Sequence, residues 1–91
     1  MQKSIGTHHQ LILQRLLKER REAIGLTQRD LAAKLNTDHH RIGGYERGER
    51  RMDLIQLHEY TQALGLPLDE FVQLYLKAIE ADQGGSSSIP L

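Results

Sequence analysis

Four arginines and two histidines fall within residues 38–51: His39, His40, Arg41, Arg47, Arg50 and Arg51. Guanidinium groups at this density can neutralise phosphates, and arginine or histidine side chains can hydrogen-bond the edges of bases. Asp38 heads the run, where a carboxylate can cap a helix or accept from a cytosine amino group. Adjacent histidines also raise metal ligation, but neighbours on a helix point about 100° apart and cannot easily share one ion. A solvated surface without any ligand is the plain alternative for each of these side chains. For His8, His9 and His58 the plain reading is adopted, and no metal or cofactor is expected.

Other chemistries are excluded by what is missing. There is no cysteine, hence no disulfide, thiolate metal site or cysteine nucleophile. No Ser/His/Asp order and no glycine-rich phosphate loop after a strand can be found, so an enzyme is not expected. The 91 residues fit one small domain, 38% hydrophobic and 26% charged, neither membranous nor disordered in composition. No wholly apolar run is longer than Leu11-Ile12-Leu13, far too short to span a bilayer, and residues 1–9 hold nothing like a secretory core. A cytoplasmic location is the expectation. Lys and Arg number 12 against 12 Asp and Glu, and that zero sum at first opposes a nucleic-acid partner. It conceals a split. Residues 1–51 carry 11 basic and 6 acidic side chains, a balance of +5, whereas residues 52–91 carry only Lys77 against 6 acids, a balance of −5.

The elements that must position these groups are helices throughout. Residues 1–8 are polar and expected to be flexible, 9–82 form the domain, and 83–91 are a Gly/Ser tail. The first helix is placed at 8–23, with Leu13, Leu16, Leu17 and Ile24 on its buried face and Gly25 ending it. Thr27 caps a second helix at 28–35, with Asp30 as first-turn partner and Leu31, Ala32 and Leu35 inward. Asn36 makes the turn. Thr37 or Asp38 caps a third helix at 38–46, burying Ile42 and Tyr45 and ending at Gly48. Asp53 caps a fourth at 54–64, burying Leu57, Tyr60, Thr61 and Leu64, and a fifth follows Gly65 and Pro67 at 68–82. Two short helices joined tightly, with small Ala32 where the second must cross the first, describe a helix-turn-helix.

The spaced residues Gly25-Leu26-Thr27-Gln28, Leu31-Ala32, Leu35, Ile42, Tyr45-Glu46 and Gly48 closely resemble the phage repressor and Cro (XRE-like) family of helix-turn-helix proteins. Leu57, Tyr60 and Ala63-Leu64-Gly65 continue the resemblance, which covers about residues 13–76. It implies an all-α, five-helix, lambda-repressor-like domain that binds double-stranded DNA. Its third helix would lie in the major groove, with Asp38, His39, His40 and Arg41 at base edges. Gln28 and Thr27, at the start of the preceding helix, would meet a phosphate, as would Arg47, Arg50 and Arg51; Arg15 and Arg29 are secondary candidates. Arg21 and Glu46 match positions that pair in the family's core. Tyr45 and Tyr60 sit at core spacing and read as packing.

Gly43-Gly44 departs from the family pattern. Each glycine costs about 0.8–1.0 kcal/mol relative to alanine inside a helix, and at Gly44 the family often carries a long polar side chain. Either readout falls on His39, His40 and Arg41 with a close DNA backbone, or sequence-specific recognition is weak. The fifth helix is apolar on more than one side: Leu68, Phe71, Val72, Tyr75 and Ile79 form a stripe, widened by Leu74, Leu76 and Ala78. A homodimer through Phe71, Leu74, Tyr75 and Ala78 is the expectation; a monomer whose first and fifth helices bury one another is the alternative. The function read from all this is a sequence-specific transcriptional regulator, expected to be a repressor. The competing function is an antitoxin-like module that holds a protein partner and can also bind DNA.

Overall fold

The computed structural model describes residues 2–82, with side chains from His8 to Ala81. Five helices follow one another: α1 (Gln2–Ala23), α2 (Gln28–Lys34), α3 (His39–Arg47), α4 (Leu54–Ala63) and α5 (Leu68–Asp82). No strand occurs among the described residues. The first helix begins at Gln2, not near residue 8, so the stretch expected to be flexible is helical from its second residue. The Gly/Ser tail at 83–91 lies outside the described residues.

Local chemistry sets the boundaries. Thr27 Oγ1 accepts from the Asp30 N–H at 3.0 Å while Asp30 Oδ2 accepts from the Thr27 N–H at 2.9 Å, a reciprocal capping box. Those hydrogen bonds from Thr27 hold the Asp30 carboxyl below its ordinary range. Asp53 and Gln56 build the same device on α4, at 2.8 and 3.0 Å. Asn36 takes φ +58°, the left-handed conformation that turns α2 into α3. At the end of α4 the side chain of Arg20 does what no residue of that helix can. Its Nε donates to Leu64 O and its Nη2 to Gly65 O, both at 3.1 Å, satisfying terminal carbonyls with a positive charge.

The core gathers one residue or more from every helix: Leu17, Leu31, Ile42, Tyr60, Leu64 and Phe71, with Leu13, Leu16, Leu35, Leu57 and Tyr75 packed around them. Ala32 is buried where α3 crosses α2, and Tyr45 meets Tyr60 edge-on at 5.8 Å. Thr61 is buried with its hydroxyl donating to His58 O at 3.1 Å. α1 packs on both α3 and α5, and α5 also on α4.

Two expectations are corrected. Ile24 is 41% exposed, because it lies past the last turn of α1 and no longer follows its buried stripe. Phe71 cannot serve as a dimer contact: it is 1% exposed and sits inside this chain's own core. The apolar residues that α5 leaves uncovered are Val72, Leu74 and Leu76, which flank the stripe of Phe71 and Tyr75.

Candidate nucleic-acid interface

α3 presents the site, and Asp38 starts it. With extended backbone angles (φ −104°, ψ 163°), its Oδ1 accepts the Arg41 N–H at 3.0 Å. That hydrogen bond holds the carboxyl below its usual range, so Asp38 is an anionic cap on the positive end of the helix dipole. His39 and His40 follow in the first turn, with ring centroids 4.2 Å apart. His40 is exposed, its Nδ1 3.9 Å from Asp38 Oδ1. His39 is half-buried against the end of α2. Burial, then Arg29 and His40, hold its pKa below 6.5 against the opposing pull of Asp38. Although the two rings approach each other, no group of three or more metal-ligating side chains exists among the described residues.

Arg41 is not brought together with the histidines. It is half-buried and lines a cleft between α3 and α4 with Thr37, Tyr45, Gln56 and Glu59. Arg47 stays on the exposed side, but its guanidinium forks onto Glu49, Nε to Oε2 and Nη2 to Oε1, both at 3.0 Å. The pair raises the Arg47 pKa and lowers that of Glu49. Arg50 and Arg51 follow, exposed, on the connection to α4.

The glycine pair has a steric reason. A Cβ on Gly43 would stand 2.8 Å from Arg47 Nη1, and one on Gly44 would stand 3.1 Å from Arg50 Cδ. Both glycines are buried because arginine side chains lie along the bare helix backbone. The lost helix propensity is the counterpart of that seat.

Behind α3 a buried polar network fixes its angle. Arg21 Nε donates to Glu46 Oε2 at 2.6 Å and Nη2 to Oε1 at 3.1 Å, while Nη1 donates to Leu26 O at 2.7 Å. Hydrogen bonding to Glu46 raises the Arg21 pKa against the opposing effect of burial. Gln28 joins them, its Nε2 donating to Glu46 Oε1 at 2.9 Å. Gln28 and Thr27, expected at a phosphate, each also have an internal partner, in the carboxylates of Glu46 and Asp30. Gln14 completes the set, with Nε2 donating to Glu46 O at 3.3 Å.

Gln14, Arg20 and Glu49 carry functional geometry that sequence reading passed over. Gln14 had a signal: Gln14, Leu17 and Arg21 recur at i, i+3 and i+7, so two polar groups share a buried stripe. Glu49 and Arg20 had none beyond opposite charge or proximity to a helix end.

Comparison with known proteins places this geometry. A family model described as helix-turn-helix matches residues 17–71. A curated relative from Rhodospirillum rubrum, an uncharacterized transcriptional regulator in the ATPase CF(0) region, is 34% identical over 55 residues. That match takes in 60% of this chain and 51% of the relative, so the chain spans about half the relative's length. An XRE-family like protein from Pseudomonas syringae pv. tomato superposes with a TM-score of 0.79 at 28% identity, covering 85% of this chain and 94% of that one. The wild-type restriction-modification controller protein C.Esp1396I superposes with a TM-score of 0.72 at 30% identity, over 78% of this chain and 92% of that one. A variant of the same controller has been solved bound to its highest-affinity operator site, and it superposes with a TM-score of 0.70 at 29% identity, over 76% and 91% of the two chains.

Proposed function

Because the chain belongs to the XRE-type helix-turn-helix family of DNA-binding regulators, we propose that it reads the major groove of a specific operator with α3, as a homodimer, and represses by occupying that site. The observation that supports this most is the exposed start of α3. His40 and Asp38 project there beside His39, and the helix is held at its angle by the buried Arg21–Glu46 fork. His39 and His40 face base edges, with Asp38 and Arg41 at the borders of the reading surface. Arg47 and Arg51 neutralise phosphates alongside it. Gln28 keeps a second amide hydrogen and Thr27 its hydroxyl hydrogen for one more phosphate. Among solved relatives, the controller variant bound to its operator site supports an operator-DNA ligand for this chain.

The dimer is assigned to α5. Leu74 is 46% exposed and stands one turn from half-buried Ala78, with half-buried Tyr75 between them. These leave an apolar edge beside the monomer's core.

Selection of bound duplexes from a random pool tests the proposal. The expected product is a two-fold motif with half-site centres about one helical turn apart, and a log–log salt slope near −0.9 per phosphate neutralised. Absence of any duplex binding at low salt, together with tight capture of a protein partner, overturns it.

A further inference from the structure

We propose that Arg50 is a base-reading residue, lending its guanidinium to Gly44, a place on the reading face of α3 where the helix has no side chain of its own. The inference rests on the groove-facing role of α3 and adds a specificity residue to it. Gly44 lies four residues after His40, so it occupies the same face one turn further along. A helix lying in a groove at this register needs a side chain at residue 44 to meet the next bases, and glycine supplies none. That place is nevertheless occupied. Cδ, Cγ and Nε of Arg50 lie 3.1, 3.3 and 3.4 Å from where a Cβ of residue 44 would stand.

The backbone shows how Arg50 gets there. Gly48 adopts φ +81°, which only glycine takes freely, and turns the chain back at the end of α3. The N–H groups of Glu49 and Arg50 then both donate to Gly44 O, at 2.8 and 3.3 Å. Residue 50 is thereby tied to residue 44 through the main chain, and its side chain is laid over the same residue. Arg47, in contrast, spends its guanidinium on Glu49. Arg50 has no ion pair or hydrogen bond from its guanidinium among the described residues; it acts on Glu49 only through space, so its planar fork is not engaged.

A seated methylene stem with an unengaged fork suits directional recognition. Neutralising a phosphate needs only a mobile positive charge. A bidentate contact to the O6 and N7 of guanine needs the fork held in one plane, and the seat on Gly44 removes part of the rotamer freedom that such a contact would otherwise cost. The assigned ligand is therefore a guanine in each half-site, next along α3 from the bases that face His40.

Duplex selection from a random pool, run in parallel on the wild type, Arg50→Ala, Arg50→Lys and Gly44→Ala, tests the assignment. The wild-type motif should contain one guanine per half-site that disappears with Arg50→Ala while the remaining positions persist. Affinity for the selected operator should fall about 5- to 150-fold, the range of one bidentate base contact, with a much smaller loss on random duplex. Arg50→Lys should keep the affinity for random DNA and lose the guanine preference. Gly44→Ala places a Cβ 3.1 Å from Arg50 Cδ and shifts the seated stem by a few tenths of an ångström, so it should weaken that guanine preference. Its thermal midpoint should not fall, since alanine favours the helix, and this separates displacement from misfolding. An unchanged motif in Arg50→Ala, with equal losses on operator and random DNA, makes Arg50 a phosphate contact; the inference is then overturned and the DNA-binding reading stands. No enriched sequence for the wild type overturns both.

Discussion

The Glu46 carboxylate takes the Arg21 guanidinium as a fork, at 2.6 and 3.1 Å, joining the end of α1 to the last turn of α3. With side chains only 9% and 4% exposed, both charges have left water and depend on each other. Removing one partner strands the other. Glu46→Ala or Arg21→Ala should each cost about 3–5 kcal/mol in urea-induced unfolding, whereas the double replacement by leucine should recover much of it. Equal losses in all three proteins would show that the fork contributes little beyond packing.

In the proposed complex, Glu49 competes with a phosphate for Arg47. Glu49→Gln should release the guanidinium and raise affinity for all duplexes alike, steepening the log–log salt slope by roughly 0.9, one further phosphate. The check is a binding titration across salt on operator and random DNA. A gain confined to operator DNA would place Arg47 at a base instead.

Acidification should strengthen binding through His39. Its pKa in the free protein lies below 6.5, chiefly through burial, so it is neutral at pH 7. Phosphates raise that pKa in the complex, which then takes up a proton. Affinity therefore rises as pH falls through the complex's pKa and levels off below that of the free protein. The rise should continue below pH 6.5, and His39→Gln should flatten it. The same linkage has a cost for folding: a histidine pKa lowered by the fold weakens stability as pH falls below its unfolded value. An affinity that does not change between pH 8 and pH 6 in the wild type argues against His39 and His40 at the DNA.

Phe71 and Leu74 separate the core from the proposed interface. Phe71→Ala should destabilise the monomer by about 3–5 kcal/mol, as truncation of a buried aromatic does. Leu74→Glu should leave the fold intact and shift sedimentation toward the monomer, with weaker operator binding. A Leu74→Glu protein that remains dimeric moves the interface away from this edge of α5.

The helix-turn-helix was legible because its boundaries are written in single residues. Thr27 with Asp30, Asp38, Asn36 and Gly48 each satisfy a local backbone need that no other part of the chain must supply. What stayed hidden depends on distant partners. Periodicity placed Phe71 on an apolar stripe but could not say whether that stripe meets this chain or a second copy. Gln28 looked free to meet a phosphate because the carboxylate it binds is 18 residues away. The glycine pair looked like a defect in α3, since the side chains that use it follow later in the chain and are folded back by Gly48. Ile24 fitted the stripe of α1 on paper, one residue beyond where Ala23 ends it.

Arg20 and Arg21 are neighbours in sequence but fasten different helices. Arg20 holds the carbonyl end of α4, and Arg21 holds Glu46 on α3. Between them, one turn of α1 acts as a caliper. In a two-fold dimer built through α5, the distance between the two reading helices becomes a length stored in the protein, because neither α3 nor α4 can shift without breaking an arginine contact. The operator would then be measured as well as read. One extra base pair between half-sites displaces the second by about 3.4 Å and rotates it around the duplex, so spacer length becomes a sequence-independent part of recognition.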